Sequence, residues 1–380
     1  MDFSHSEDQE LTRKMVREFA EGEIAPHSAR LDEEQEFPFE IFRKLGELGL
    51  TGVIFPPEYG GAGLATVDYA IVIEELARVD PGVALSVAAH NSLACNHIYL
   101  AGTEEQKKKY LVPLAKGEKI GTWSLTEPTA GSDAGGTKTR AEKDGEFYVL
   151  NGAKTFATHG TVADVAVVFA VTEPAKKHRG ISAFVLEKGM PGFRPGKKEN
   201  KMGCRASDTA ELAMEDCRVP RSQLLGKEGE GFRDAMRVLD GGRISIAAMA
   251  VGTAQGACEA ALRYARQRQQ FGKAIAEFQA IQFLLADCAT EIEAARWLTM
   301  RAAYLKDQGQ EVNKAGAMAK LYASEMAVRV TDKAIQIHGG YGYMKEYPVE
   351  KLHRDAKITT IGEGTSEIQR LVIARRLLES

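Results

Sequence analysis

The sequence predicts a mostly helical protein with a β domain in its middle. Residues 7–117 carry apolar side chains at helical spacing, for example Leu11, Met15 and Phe19. From about residue 119 the pattern changes to short β-rich runs between turn signals, and beyond residue 226 it is helical again. We therefore expect an N-terminal helical domain (1–118), a middle β domain (119–226) and a C-terminal helical bundle (227–380).

The N-terminal helices follow from the apolar period and from the breaks between them. The helical pattern continues over 68–79 and 83–101, and the Gly- and Pro-rich segment 56–61 separates two helices. The β domain follows from runs at 147–150, 165–171 and 181–186. Asn151-Gly152 is a strong hairpin signal, so we expect a turn there.

The C-terminal helices are predicted over 231–267, 278–308, 314–337 and from 368 to the end. They are rich in Ala and Gly, and small residues let neighbouring helix axes approach closely. We expect a bundle that also assembles into an oligomer.

Composition excludes several classes of protein. The chain has 380 residues, 44% hydrophobic composition and a net charge of −4, without a long basic block, so we expect no nucleic-acid partner. No apolar run approaches eighteen residues, and the polar N-terminus is unlike a signal peptide, so we expect no membrane insertion and a cytoplasmic location, or the mitochondrial matrix for a processed form. The scattered cysteines predict reduced thiols and no metal site: Cys95, Cys204, Cys217, Cys258 and Cys288.

The most informative segment is 361–370, where Glu363 stands between Gly362 and Gly364. Glycines let the backbone approach a ligand closely, and Thr365 and Ser366 can cap the helix that follows. A carboxylate beside oriented N–H groups is what abstraction of a proton α to a carbonyl requires. The alternative interpretation is a capped loop with a solvent-exposed glutamate.

Three other segments have both a functional and a structural interpretation. The loop at 123–136 offers backbone N–H and hydroxyl groups to a flat heterocycle or a phosphate, or it is an ordinary β-turn. The segment 336–343 ends a helix at a glycine cluster, and His338 is then a helix-end residue. Arg268 and the aromatic side chains near it suit a phosphate and a ring, or they are a solvated helix terminus.

These segments, in this order and spacing, resemble the acyl-CoA dehydrogenase family over essentially the whole chain. The segment 336–355 satisfies every position of the C-terminal signature of that family. LTEPTAGSD at 125–133 matches the N-terminal signature, although Ser124 stands where Gly, Ala or Cys is usual. The resemblance implies non-covalent FAD in a helical, β-barrel-like and four-helix-bundle subunit, a homotetramer, and a place in fatty-acid β-oxidation.

The resemblance also implies roles for individual residues. The residues that would line the isoalloxazine are Trp123, Leu125, Thr126, Gly131, Ser132, Phe156 and Thr158. Those that would hold the pyrophosphate and adenosine from a neighbouring subunit are Arg268, Phe271, Gln279, Gln336, Gly339 and Gly340, and Thr365 and Glu367 would also reach FAD. The residues expected to contact the acyl-CoA are Ser132, Asp240, Arg243, Gly362 and Gly364.

The implied reaction is α,β-dehydrogenation of an acyl-CoA thioester to trans-2-enoyl-CoA. Glu363 would take the α-proton, the β-hydrogen would leave as hydride to flavin N5, and an electron-transfer flavoprotein would receive the electrons. Some branches of the family place the catalytic Glu directly before the Arg matched by Arg243; here that position is Gly242. Gly362 replaces the Tyr usual in straight-chain members, so we expect tolerance of branched or bulky acyl groups.

Two other functions remain open at this point. One is an acyl-CoA oxidase or flavin monooxygenase on the same fold, although a monooxygenase would not need the base Glu363. The other is a catalytically silent helical scaffold that binds no FAD.

Overall fold

The structure is a computed structural model that describes residues 4–379, and it confirms the predicted helical, β and helical order. The α-helices are α1 (Glu7–Phe19), α2 (Ala25–Glu34), α3 (Phe39–Glu47), α4 (Thr66–Val79), α5 (Pro81–Ala89), α6 (Asn96–Ala101), α7 (Glu104–Gln106), α8 (Val112–Ala115), α9 (Gly231–Gln267), α10 (Gln279–Asp307), α11 (Asn313–His338), α12 (Pro348–Ala356) and α13 (Ser366–Leu378). The strands are β1 (Gly121–Ser124), β2 (Arg140–Asp144), β3 (Phe147–Thr158), β4 (Val165–Val171), β5 (Ile181–Glu187), β6 (Phe193–Lys198), β7 (Thr209–Pro220), β8 (Leu224–Leu225), β9 (Gln269–Gln270) and β10 (Lys273–Ala274).

Three π-helical turns join helices of the N-terminal part. The turn Ala20–Ile24 connects α1 to α2, His90–Cys95 connects α5 to α6, and Lys107–Leu111 connects α7 to α8. The helix predicted over 83–101 is therefore continuous from α5 through the turn His90–Cys95 into α6. The wider π-helical turn within it was not revealed by the apolar period.

The strands β1 to β8 form one sheet with the order β6-β7-β3-β2-β4-β5-β8, in which β1 pairs in parallel with β4, whereas β9 and β10 pair only with each other. Its two ends fold over each other, because Val168 and Phe184 of the β4–β5 side share a core with Leu150 and Leu212 of the β3–β7 side. The opposite face of β4, which includes Val167, packs against N-terminal helices and α9. This folded sheet is the barrel-like middle domain.

The predicted hairpin at Asn151-Gly152 is wrong. Both residues lie inside β3, whose register with β7 shifts between Leu150 and Gly152. Gly152 has φ +150° at this bulge, and a Cβ there would overlap Thr139. The glycine therefore serves a β-bulge, which interrupts pairing without reversing the chain.

The C-terminal helices pack around α9, whose bounds match the predicted ones. Gly252 and Gly256 let α4 lie directly on α9, since a Cβ on either would overlap the backbone carbonyl of Glu74 or Arg78. The helix α11 lies beside α9, α13 packs on α11, and the loop before α13 reaches Gly242. The helix α9 therefore links the β domain to this loop.

The described part of the chain, residues 4–379, contains no membrane-spanning helix, no disulfide and no cluster of side chains that could hold a metal. None of its helices is long and apolar enough to cross a membrane. Its five cysteines are free thiols. No group of three or more His, Cys, Asp or Glu side chains in it could hold a metal ion.

Candidate active site

Glu363 lies in a tight loop between α12 and α13 and has a left-handed backbone, with φ +55°. This conformation is uncommon for a residue with a side chain, and it is found where surrounding contacts hold it in place. Gly364 follows with φ +92°. Thr365 then caps α13, because its Oγ1 accepts a hydrogen bond from the Ile368 N–H at 3.3 Å. The predicted cap is confirmed, and the helix N-terminus lies beside the carboxylate.

The carboxylate of Glu363 rests against α9 at Gly242. A Cβ built on Gly242 would lie 2.0 Å from Oε2 of Glu363, so only glycine leaves room for this side chain. Oε2 is buried and has no hydrogen-bond partner. Within residues 4–379 the backbone N–H of Glu363 also donates to no protein group. An acceptor and a donor are thus both available to a ligand.

Burial raises the pKa of Glu363 to about 7, and the positive charges of Lys320 and Arg243 oppose this rise. Loss of hydration disfavours the charged form of a buried carboxylate. The buried Oε2 differs from the solvent-exposed carboxylate of the alternative interpretation. A carboxylate with a pKa near 7 is matched to accept a proton at neutral pH.

Two buried side chains hold the backbone of this loop, and the sequence did not indicate them. The Lys320 ammonium, on α11, donates to the Gly364 carbonyl at 2.6 Å. The Gln369 amide, on α13, donates to the same carbonyl at 2.9 Å and to the Glu363 carbonyl at 3.2 Å. The only signal for Lys320 is its place on an Ala-rich helix face, between Ala317 and Ala323, which are also buried.

Asp240 and Arg243 form an ion pair one turn apart on α9, with 2.7 Å between Nη1 and Oδ1. Asn313 donates to the same oxygen at 2.7 Å. Burial lowers the pKa of the Arg243 guanidinium and raises the pKa of the Asp240 carboxyl. The Nε of Arg243 is buried without a partner, so this guanidinium retains a donor near Glu363.

The predicted flavin residues of β1 and β3 meet. The Thr155 N–H donates to the Thr126 carbonyl at 2.9 Å, and Thr122 Oγ1 donates to the Thr158 carbonyl at 2.6 Å. The ring of Phe156 is 66% exposed, and its backbone has φ +58°. An exposed aromatic face therefore stands beside β1, which carries Trp123, and beside the segment after it, which carries Leu125 and Thr126.

The strand β1 also reaches α9. Trp123 packs against a buried cluster that includes Val238 of α9, four residues before Gly242. After β1 the loop continues to Gly131 and Ser132, which are both exposed.

Glu127 stiffens this loop, a role that the sequence did not indicate. Its carboxylate accepts hydrogen bonds from Lys138 N–H at 2.7 Å, from Thr139 N–H and Oγ1 at 3.0 and 2.6 Å, and from buried Lys154 at 2.7 Å.

The second predicted cofactor group meets at the other end of α9 and α11. The Arg268 guanidinium lies 5.4 Å from the ring centroid of Tyr341, in the segment that follows Gly339 and Gly340. Phe271 is 93% exposed, and its ring stands 6.1 Å from that of Phe278. Gln279 and Gln336 are exposed on adjoining helices, whereas His338 is buried at the end of α11 and stacked on Tyr264. In the described chain no hydrogen bond, ion pair or ring contact joins this group to the β1–β3 group.

Three family models match the chain. They are the acyl-CoA dehydrogenase N-terminal domain over residues 6–118, the middle domain over 122–217 and the C-terminal domain over 229–378.

Individual relatives cover the whole chain as well. A short-chain specific acyl-CoA dehydrogenase of Clostridium acetobutylicum is 52% identical over 99% of this chain and 100% of the relative. The butyryl-CoA dehydrogenase structure from Megasphaera elsdenii has a TM-score of 0.98 at 47% identity, with 100% of both chains covered. A chain in a structure described as the electron transferring flavoprotein of Acidaminococcus fermentans has a TM-score of 0.99 at 51% identity, also with 100% of both covered.

Proposed function

This chain belongs to the acyl-CoA dehydrogenase family, and we propose that Glu363 is the base with which it removes the α-proton of an acyl-CoA thioester. Its activity is the flavin-dependent α,β-dehydrogenation of the thioester to trans-2-enoyl-CoA. FAD, when bound, supplies the acceptor for the β-hydrogen as hydride, and an electron-transfer flavoprotein receives the electrons.

One observation carries the role of Glu363: its buried Oε2 has no partner, and its pKa is raised to about 7. A buried carboxylate without a partner is costly unless a ligand uses it. The free N–H of the same residue is a donor for the thioester oxygen, where negative charge develops as the α-proton leaves. The proton acceptor and the hydrogen-bond donor to the developing oxyanion then belong to one residue.

The described residues fit FAD. An exposed ring at Phe156, beside Leu125 and Thr126, suits the flat isoalloxazine, which Thr158 would bond at its edge. The group around Arg268 and Phe271 suits the pyrophosphate and adenosine of a second FAD, held for a neighbouring subunit. The isoalloxazine group also includes Trp123, Gly131 and Ser132, and the pyrophosphate and adenosine group also includes Gln279, Gln336, Gly339 and Gly340. Thr365 and Glu367, at the N-terminus of α13, would also reach FAD.

A homotetramer is part of the proposal, because the C-terminal bundle exposes large apolar side chains. On α10 these are Phe283 and Tyr304, and on α13 they are Leu371 and Leu378, which is 88% exposed. Exposed apolar surface of this kind marks contact sites between proteins. A cytoplasmic location and a place in fatty-acid β-oxidation remain predictions.

The acyl group is proposed to be branched or bulky. A Cβ on Gly362 would meet nothing closer than the Ile358 carbonyl at 3.6 Å, so no close packing requires glycine here, and the absence of a side chain leaves room for the acyl group. Ser132, Asp240, Arg243 and Gly364 would contact the rest of the acyl-CoA, and the unpartnered Nε of Arg243 supports its place in this set.

The test is anaerobic bleaching of the bound flavin by a panel of acyl-CoA thioesters. We expect rapid bleaching by short branched thioesters, and equal or greater preference for straight butyryl- or octanoyl-CoA would overturn the acyl assignment. Oxygen consumption without an added acceptor would favour the oxidase alternative. A colourless protein that takes up no FAD would support the silent scaffold instead.

A further inference from the structure

We propose that Lys320 and Gln369 are positioning residues of the active site, which hold the left-handed backbone at Glu363 by clamping the Gly364 carbonyl from two helices. The inference rests on the proposed role of Glu363 and adds how the base is kept in place. Neither side chain needs to touch the substrate to affect the reaction.

The backbone conformation of the Glu363 loop is costly. A non-glycine residue with φ near +55° is held in a sparsely populated region, at a cost of the order of 1 kcal/mol or more. Such a conformation persists only if other contacts determine it. Here the Gly364 carbonyl accepts hydrogen bonds from both Lys320 and Gln369, and both of these side chains are fully buried. Water therefore does not compete with these two donors.

Lys320 is a charged donor in a fully buried position. A buried ammonium is expensive unless nearby negative charge stabilises it. Glu363 and Glu367 supply that charge, and Arg243 opposes it. The ammonium thus acts both on the loop backbone and, through its charge, on the carboxylate of the base. The groups that face Glu363 are Lys320 from α11, Arg243 from α9 and Tyr69 from α4.

Ser324 provides a matched comparison on the same helix. It lies one turn after Lys320, is fully buried, and donates from Oγ to the Thr359 carbonyl at 2.7 Å, in the segment before the base. Ser324 therefore ties α11 to the same connection but carries no charge and does not reach Glu363 or Gly364. A purely structural role for Lys320 would make the two residues equivalent.

The experiment measures kcat, KM and the pH dependence of kcat/KM for K320M, K320R, Q369M and S324A in the FAD-loaded enzyme. In K320M we expect kcat to fall at least tenfold and the acid limb of the profile to move up by about one pH unit, because a stabilising positive charge is lost. In K320R the positive charge is kept, so the acid limb should stay at its wild-type pH. In Q369M kcat falls with the limb in place. S324A lowers the Tm but keeps the wild-type kcat and limb.

A wild-type kcat and acid limb in K320M would overturn the inference, and so would equal shifts in K320M and S324A. If K320M does not fold, wild-type kcat values in both K320R and Q369M overturn it, whereas a kcat loss in Q369M supports it. Measuring E363Q alongside distinguishes a failure of the proposed function from a failure of the clamp. An active E363Q overturns the proposed function, whereas an inactive E363Q with a wild-type K320M overturns only the clamp.

Discussion

Replacement of Gly242 by alanine tests whether α9 sets the position of the base. The added Cβ would lie 2.0 Å from Oε2 of Glu363, and an ordinary contact between carbon and oxygen needs more than 3 Å. The carboxylate must therefore recede by at least about 1 Å. Because Oε2 is the end of a flexible side chain, the side chain can move while the fold stays intact. A misplacement of about 1 Å in a catalytic group can cost about 100-fold in rate.

We therefore expect G242A to lose about 100-fold in kcat while its Tm equals or exceeds that of the wild type. The gain arises because alanine is favoured over glycine inside a helix by about 0.5–1 kcal/mol. The assay is steady-state turnover with an artificial acceptor, together with thermal unfolding. The control is G22A, since Gly22 lies in a helical turn and a Cβ there meets nothing within 4 Å. A wild-type kcat in G242A would refute the reasoning.

Three further predictions follow from the same geometry. Phe156→Ala should weaken FAD binding about tenfold and Phe156→Trp should preserve it, because any aromatic face can cover the ring; titration of the apoprotein with FAD measures both. Gly362→Tyr should lose activity on branched acyl-CoA and keep it on a straight chain, and equal losses on the two substrates would contradict the role of Gly362. Glu363→Gln should be more stable than the wild type at pH 8, by at most about 3 kcal/mol, and equally stable near pH 4. In the wild type the pKa of Glu363 is about 7 in the folded state and lower in the unfolded state, so the stability that the protonated carboxyl contributes is full at low pH and is lost as the pH rises through 7. Denaturant unfolding at pH 4 and pH 8 shows whether the difference between variant and wild type disappears at the lower pH.

Features encoded by local periodicity could be predicted from the sequence. The bounds of α9 and β4 follow directly from apolar patterns, and the end of α11 follows from Gly339, which has φ +60°. The cap at Thr365 also depends only on its neighbours in the chain. Such local signals sufficed to place Glu363 at the start of a helix beside a glycine loop.

Features that depend on distant partners could not be predicted in this way. Gly152 looked like a hairpin glycine, but β7 and Thr139 make its position a bulge inside a strand. Lys320 looked like any helical lysine, since its partner, the carbonyl of Gly364, is 44 residues away. The raised pKa of Glu363 also depends on packing, because α9 and α11 shield the carboxylate from water.

Exchange of the α-hydrogens of an acyl-CoA thioester in deuterated water tests the central claim most directly, because it measures proton transfer separately from electron transfer. With FAD bound and no electron acceptor present, the wild type should exchange one α-hydrogen, and Glu363→Gln should bind the thioester but exchange it slower by several orders of magnitude. Flavin absorbance before and after addition of the thioester verifies that both proteins are loaded. Exchange at the wild-type rate in Glu363→Gln would contradict the assignment of Glu363 as the base.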